Sequence, residues 1–244
     1  MKEVIILPET TKNPITLIGK RAGVCWGADT SDDLKNYRRG LECVWANHGR
    51  TFEFVNVEVV FKGYNARVIR EFYTHIGGMP TRLQASTRYI DYDDFSYDTP
   101  NSVEYIDAAK NLWDSCMDNI KETRRILRDK HGISVEDTAL LLPLGMHSDE
   151  VDKRNARNYV DMSRNRMCAR ANHQFRKMFM DLKDALWNYS DEWKMFISLT
   201  FKPKCEVLGY CTEKNSCGRY PKREMPEDLF KQIYGEPSSE TEQI

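Results

Sequence analysis

A polar stretch without regular periodicity, residues 73–92, carries the side chains of this sequence that are best suited to bind a ligand. Gly77, Gly78 and Pro80 prevent a regular helix through its middle. Imidazole, hydroxyl, amide and guanidinium groups surround this break: His75, Thr81, Arg82, Gln84, Ser86, Thr87 and Arg88. Such groups can hold a phosphate and read the edge of a ring. The alternative interpretation is a surface loop followed by a solvated edge strand, so the flanking sequence has to decide.

A second candidate set lies on a predicted helix. Asn155, Tyr159, Met162 and Arg166 recur at i, i+4, i+7 and i+11, so a continuous helix would place them on one face. A buried guanidinium needs an anionic or carbonyl partner, because leaving it unpaired costs about 3–5 kcal/mol. A ligand could be that partner for Arg166. The alternative is a solvated face in an arginine-rich pair of helices.

The cysteines do not indicate a metal site or a catalytic thiolate. Cys205, Cys211 and Cys217 are separated by five residues each time, whereas zinc ligands usually stand closer in the sequence. No histidine follows His173, so a fourth ligand is not obvious. We therefore predict no metal and interpret these three residues as reduced thiols that pack a C-terminal extension. The other cysteines that we considered as nucleophiles fall at or beside predicted apolar positions: Cys25, Cys43 and Cys116.

Composition narrows the function classes. The 244 residues contain 36 basic and 37 acidic side chains, so no strong electric field favours a nucleic-acid or membrane partner. No apolar run is long enough to span a bilayer, and the N-terminal patch is too short for a secretory signal, so we expect a cytoplasmic protein. Walker, dinucleotide-binding and zinc-protease motifs are absent from the sequence.

The first half of the chain predicts an alternation of strands and helices. We predict short strands at Val4–Leu7 and Ile15–Ile18, then a helix capped by Thr30 or Ser31. The strongest strand signal lies in residues 51–63, where apolar side chains alternate along one face: Val55, Val57, Val59 and Phe61.

The later elements are predicted from helical spacing and from turn residues. A helix at residues 65–73 should lead into the Gly77–Gly78 break, with a second strand at Arg88–Tyr92. Beyond it we predict a helix over residues 103–130, with a capping box of Asn101 and Glu104 and with Gly132 just past its end. A short helix from Ser134 and two helices near residues 152–164 and 169–187 complete the pattern.

Five segments in a fixed order resemble the flavin-dependent thymidylate synthases. The segments are KRAGVCW, HGRTFEFVNVEVVF, THIGGMPTRLQASTRY, LLLPLG and NARNYVDMSRNRMCARANHQFR, and they cover about residues 20–186. The resemblance implies an α/β (α+β) fold in which a twisted, mainly antiparallel sheet packs against long helices. It also implies a homotetramer with sites at subunit interfaces. The implied reaction is reductive methylation of dUMP to dTMP, with FAD as cofactor and with methylenetetrahydrofolate and NADPH as co-substrates.

The resemblance also assigns site residues by position. It implies that Arg166 is catalytic and polarises the uracil ring. The implied dUMP-binding residues are Glu71, Gln84, Ser86, Thr87, Arg88 and Arg166. The implied FAD-binding residues are His48, Arg50, Glu53, His75, Gln84, Asn155, Arg157 and Asp161. We expect one catalytic domain over residues 1–200 and a Cys-, Lys- and Pro-rich extension and tail over residues 201–244.

The sequence departs from the family pattern at its signature. Thr74, His75 and Ile76 stand where the family has Arg-His-Arg, and the following loop is two residues longer because it carries Gly77 and Gly78. These departures leave two further hypotheses open. One is a relative that methylates or hydroxymethylates C5 of another pyrimidine nucleotide, and the other is a catalytically silent nucleotide-binding homologue.

Two other arginines could replace the missing charge. Arg50 and Arg82 lie in the segments that the resemblance assigns to ligand binding, and we predict that they compensate for the absent pair. The Gly77–Gly78 pair could also bring backbone N–H groups close to an anion.

Overall fold

A four-stranded sheet forms the centre of the computed structural model, which describes residues 2–223 together with Lys231, Ile233 and Gly235. The sheet order is β1-β2-β4-β3, and each neighbouring pair is antiparallel. The strands are β1 (Glu3–Ile6), β2 (Asn56–Asn65), β3 (Thr81–Gln84) and β4 (His147–Asn155). This mixed architecture confirms the predicted fold class.

Helices surround the sheet and supply most of the apolar side chains of the core. They are α1 (Pro14–Cys25), α2 (Asp33–Trp45), α3 (Gly49–Phe52), α4 (Ala66–Phe72), α5 (Asn101–Glu104), α6 (Asp107–His131), α7 (Val135–Thr138), α8 (Ala156–Arg166), α9 (His173–Tyr189), α10 (Asp191–Thr200) and α11 (Lys204–Leu208). A 3-10 turn covers Ala139–Leu141. In the described part of the chain, none of these helices has the length and apolarity that a membrane crossing requires.

The central strand β2 has the alternation that the sequence predicts. Its inward side chains Val57, Val59 and Phe61, together with Val55 just before its start, are completely buried in the main core. The strand begins at Asn56 rather than at residue 51, because residues 49–52 form the short helix α3. The prediction was therefore right about the buried face and wrong about the start.

The predicted strand at residues 15–18 is wrong, because this segment is the first turn of α1. Pro14 occupies the start of the helix, where its missing N–H is not needed. Ile15, Ile18 and Ala22 are buried at spacings of three and four, which matches a helix packed on one face. Packing against α2 outweighs the strand preference of the β-branched residues in this run.

Two glycines allow α1 and α2 to pack closely. A Cβ atom on Gly19 would overlap the carbonyl oxygen of Asn36, and a Cβ atom on Gly40 would overlap the carbonyl oxygen of Ile15. Since both overlaps involve backbone atoms, a side chain at either position would force the helices apart.

We predict that Gly19→Ala lowers the free energy of unfolding by about 1–3 kcal/mol, because the added methyl group overpacks the α1–α2 contact. The measurement is urea denaturation followed by circular dichroism. Val24→Ala is the matched control, since Val24 lies on the same helix with 69% of its surface exposed. Equal stability of Gly19→Ala and wild type would contradict the close approach of the two backbones.

Several predicted helix ends are corrected. Asp32, not Thr30 or Ser31, caps α2, since its carboxylate accepts hydrogen bonds from the backbone N–H groups of residues 34 and 35. The long helix α6 begins at Asp107, so the predicted capping box does not form, and residues 101–104 make the separate turn α5.

Other predicted boundaries are confirmed. Gly132 ends α6 with a φ of 66°, in the left-handed region that favours glycine. Asn65 caps α4 through its side chain, and Ser134 caps α7 in the same way.

The strand predicted at Arg88–Tyr92 is wrong, and so is the helix start at residue 152. The edge strand is β3, at Thr81–Gln84, and residues 152–155 belong to β4. The helix predicted over residues 169–187 begins at His173 instead, where α9 starts. These corrections determine which side chains reach the candidate site.

Candidate active site

Strand β4 buries a row of polar side chains beside the apolar face of β2. Ser148, Glu150, Asp152 and Arg154 alternate along the strand, and each is at most 3% exposed. Since polar groups are costly to bury without hydrogen bonds, this row needs partners from neighbouring elements.

Arg154 is the centre of the network on this face. Its Nε and Nη2 atoms donate to the two carboxylate oxygens of Asp152 at 2.6 and 2.5 Å. Its Nη1 atom donates to Oδ1 of Asn158 at 2.5 Å and to the carbonyl oxygen of His75 at 3.3 Å. Tyr159 donates its hydroxyl proton to Asp152 at 2.9 Å. The network therefore connects β4, α8 and the segment after α4.

Arg166, the last residue of α8, lies next to His75. Its Nε atom donates to Nε2 of His75 at 2.9 Å, and its Nη1 atom lies 3.6 Å from Oε2 of Glu71. The guanidinium carbon stands 4.2 Å from the centre of the Phe175 ring. Asn172 holds Glu71 in turn, by donating to Oε1 at 2.7 Å. The guanidinium is thus fixed in orientation while about a fifth of the side chain stays exposed.

His75 is neutral at physiological pH. Burial, followed by the nearby charges of Arg166, Arg154 and Arg82, lowers the pKa of its imidazole to about 4. Because the Nε atom of Arg166 can only donate, Nε2 of His75 must accept and Nδ1 must carry the proton. The imidazole therefore orients the guanidinium without adding charge.

The two inserted glycines pack against the start of α8. Asn158 donates to the carbonyl oxygen of Gly77 at 2.5 Å. A Cβ atom on Gly77 would overlap the Asn158 side chain, and one on Gly78, which has a φ of 72°, would overlap that of Asn155. A groove of about 350 Å³ opens here, lined by Glu53, Gly77, Gly78, Asn155, Arg157, Asn158 and Asp161.

A larger groove of about 1070 Å³ lies on the other side of Arg157. Arg157 donates from Nη1 to Oε1 of Glu53 at 2.5 Å, and its Nε atom lies 3.9 Å from Oδ2 of Asp161. The exposed rings of Trp26 and Phe54 line the groove. Of the residues assigned to FAD by resemblance, those that line one or both grooves are His48, Arg50, Glu53, Asn155, Arg157 and Asp161.

The residues assigned to dUMP fall into two groups within one chain. Glu71 and Arg166 contact each other, as described above. Gln84 instead donates to Oγ of Ser148 at 3.2 Å, and the Arg88 side chain pairs with Glu136 at 3.1 Å. The second group lies on β3 and the turn after it: Gln84, Ser86, Thr87 and Arg88.

Glu150 is buried and Arg82 is half-buried, and both have buried side-chain atoms that lack hydrogen-bond partners among the described residues. Both carboxylate oxygens of Glu150 and Nη1 of Arg82 have no hydrogen-bond partner among the described residues. Burial, followed by the charge of Asp152, raises the pKa of Glu150 from 4.5 to about 8, although Arg82 and Arg154 oppose this rise. The Arg82 guanidinium carbon stands 4.2 Å from the centre of the Tyr73 ring.

Residues 7–188 match the family described as thymidylate synthase complementing protein. The chain belongs to this family, the flavin-dependent thymidylate synthases. The chain is also 26% identical to the flavin-dependent thymidylate synthase of Nitratidesulfovibrio vulgaris over 211 residues, which are 82% of this chain and 84% of that protein.

Solved structures of related proteins have the same fold. The flavin-dependent thymidylate synthase ThyX of Helicobacter pylori, complexed with FAD and dUMP, is 18% identical with a TM-score of 0.62, over 81% of this chain and 99% of that one. The UMP/dUMP methylase PolB of Streptomyces cacaoi, bound with 5-Br dUMP, is 14% identical with a TM-score of 0.62, over 82% and 97% of the two chains.

The resemblance to the flavin-dependent thymidylate synthases did not reveal the polar face of β4. Asp152 and Arg154 were missed because residues 152–164 read as one helix, whereas β4 extends to Asn155. Glu150 on β4 and Asn158 on α8 were not assigned to the site either. The available signal was an alternation in which the buried positions are polar, since Glu150 and Asp152 are buried on either side of the exposed Val151. Alternation of this kind is hard to read, because strand prediction depends on apolar residues at every second position.

We predict that stability falls as the pH rises from 4.5 to about 8, because Glu150 binds its proton more tightly in the folded state. The slope is at most about 1.4 kcal/mol per pH unit. Glu150→Gln should remove this slope and should therefore be more stable than wild type at pH 8. Urea denaturation at several pH values tests this, with Glu42→Gln on the exposed face of α2 as control. The same slope in Glu150→Gln and wild type would disprove it.

Proposed function

We propose that this chain catalyses the FAD-dependent reductive methylation of dUMP to dTMP. One observation carries the assignment to residues: the Arg166 guanidinium is held between the neutral imidazole of His75 and the carboxylate of Glu71, yet remains partly exposed. Membership of the flavin-dependent thymidylate synthase family supplies the reaction class.

Arg166 would bind a carbonyl oxygen of the uracil ring. As C5 becomes nucleophilic, negative charge develops on the pyrimidine, and a guanidinium already in place stabilises it without reorganisation. The hydrogen bond to His75 fixes the plane of the guanidinium. Since His75 is uncharged, only Glu71 offsets the positive charge of Arg166 among the contacts described above.

The residues around Arg157 fit FAD. Gly77 and Gly78 leave their backbone exposed in a groove that a side chain would block, and Asn155 and Arg157 add amide and guanidinium donors. The exposed rings of Trp26 and Phe54 suit a planar ring system. When bound, FAD supplies the reducing equivalents for the transferred carbon.

The remaining partners belong to the same proposal. We assign methylenetetrahydrofolate as the carbon donor and NADPH as the reductant of the flavin. We also propose a homotetramer, because Ser86 and Arg88 lie away from the Arg166 group and would complete the dUMP site of a neighbouring subunit. We place the enzyme in the cytoplasm, with residues 1–200 as the catalytic domain and residues 201–244 as an extension.

A second candidate is a methylase or hydroxymethylase acting on another pyrimidine nucleotide. Two observations favour keeping it: the signature of this chain lacks Arg-His-Arg at residues 74–76, and one protein of similar fold is a UMP/dUMP methylase. The two candidates differ in whether the ribose of the substrate carries a 2′-hydroxyl and in whether a methyl or a hydroxymethyl group is transferred.

The decisive experiment incubates the purified protein with FAD, NADPH, methylenetetrahydrofolate and either dUMP or UMP, and then measures the mass of the nucleotide product. We predict that dUMP gains one methyl group. Arg166→Ala should lower the rate by about a hundredfold or more, because one charge-stabilising donor is lost. Arg38→Ala, an exposed position on α2, is the control. A hydroxymethyl product or turnover of UMP alone would favour the second candidate, and an unchanged nucleotide would indicate a silent homologue.

We further predict that Arg50 and Arg82 replace the missing signature cations. Arg50 lines the larger groove, and Arg82 lies near enough to His75 to lower its pKa. Arg50→Ala should weaken FAD binding and Arg82→Ala dUMP binding, each by about tenfold or more, since a charged hydrogen bond contributes about 1.5–3 kcal/mol. Fluorescence titration of FAD and equilibrium dialysis of dUMP measure these affinities. Unchanged affinity in both variants would refute the compensation.

A further inference from the structure

A cavity beside the C-terminal end of α8 is lined by four of the seven cysteines. They come from the turn after α8, from α11 and from the segment after it: Cys168, Cys205, Cys211 and Cys217. The sequence offered three of these residues as a group, and the fold adds Cys168 from a distant part of the chain. Cys211 is buried, Cys168 and Cys205 are half-buried, and Cys217 is exposed.

Arg170 connects the two ends of this group. Its backbone N–H donates to Sγ of Cys168 at 3.5 Å. Its side chain donates from Nε to the carbonyl oxygen of Asn215 at 2.6 Å and from Nη2 to that of Ser216 at 3.3 Å. The loop that carries Cys217 is therefore fastened to the turn that carries Cys168. Backbone N–H donors on sulfur also stabilise the thiolate form that binds metals.

The charges around the cavity favour a negatively charged occupant. Its lining contains five cationic side chains and the carboxylate of Glu213: Arg164, Arg170, Arg176, Lys204 and Arg219. The Nε atom of Arg164 is buried without a hydrogen-bond partner among the described residues. One Zn²⁺ ion with four thiolates carries a net charge of −2, which these cations would offset.

The segment has little apolar core of its own. Between residues 202 and 223, only Pro203 and Cys211 are buried. Its regular structure there consists of α11 and a single bridge between Cys211 and Lys222. Small segments that cannot bury enough apolar surface are often held by a metal, because binding energy then becomes folding energy.

We propose that Cys168, Cys205, Cys211 and Cys217 bind one structural zinc ion. The four thiols release four protons and form four Zn–S bonds, with no change of oxidation state. A site closed by four protein ligands leaves no position for substrate, so the ion is structural. As the side chains now stand, no three such groups in the described part of the chain are close enough to share an ion. Binding therefore draws the sulfur atoms together, chiefly at Cys217, which is exposed.

The test is the metal content of the full chain, purified under reducing conditions after incubation with zinc and removal of loose metal on a chelating resin. Elemental analysis by inductively coupled plasma mass spectrometry should find about one zinc ion per chain. Cys168→Ser and Cys217→Ser should each lower this content by about tenfold or more. Cys116→Ser is the matched control, since Cys116 is exposed on α6 and outside the cavity.

Replacement of Zn²⁺ by Co²⁺ adds an absorption measurement that reports on the metal ligands rather than on the stability of the variants. The wild type should show the sulfur-to-cobalt charge-transfer bands of tetrahedral thiolate coordination, and Cys217→Ser should lose them while keeping its circular dichroism spectrum. Wild-type protein without zinc, iron in place of zinc, or zinc retained in a Cys168→Ser/Cys217→Ser double variant would overturn the proposal. None of these measurements depends on enzymatic activity, so the result is independent of the proposed reaction.

Discussion

The buried ion pair between Asp152 and Arg154 is the constraint on which the site depends. Both side chains have no solvent exposure, and two charges in such surroundings are tolerated only when every hydrogen-bonding position is filled. Asn158, Tyr159 and the carbonyl oxygen of His75 fill the remaining positions. These partners come from two parts of the chain, α8 and the segment after α4, so the ion pair on β4 holds both in one arrangement.

The position of Arg166 follows from that arrangement. His75 is fixed through its carbonyl oxygen by Arg154 and through its imidazole by Arg166. Burial, followed by the charges of three arginines, lowers its pKa, so it acts as a neutral acceptor. An imidazolium here would repel Arg166 and could not accept its hydrogen bond. The chain thus fixes the orientation of the Arg166 guanidinium with a single histidine, although the signature lacks Arg-His-Arg.

Glu150 shows the opposite case on the same strand. It lies two residues from Asp152, but its oxygens have no hydrogen-bond partners among the described residues, and burial raises its pKa. Comparing Glu150 with Asp152 separates the effect of burial from the effect of hydrogen bonding. Both carboxylates are buried, but only Asp152 accepts hydrogen bonds from an arginine and a tyrosine. Burial alone favours the protonated acid, whereas two charged hydrogen bonds favour the carboxylate.

The sequence by itself determined the features that depend on local pattern. The alternation of Val57 and Val59 in β2, the helix start near residue 65 and the helix end at Gly132 all follow from residues close in the chain. The ordered motifs also determined the family. Only the tertiary structure decided that residues 15–18 are helical, because contact with α2 outweighs local preference. It likewise decided that Asp152 belongs to a strand, since Asp152 pairs with Val59 of β2 and Arg82 of β3, which are distant in sequence. Such long-range pairing leaves no periodic signal within a short stretch of chain.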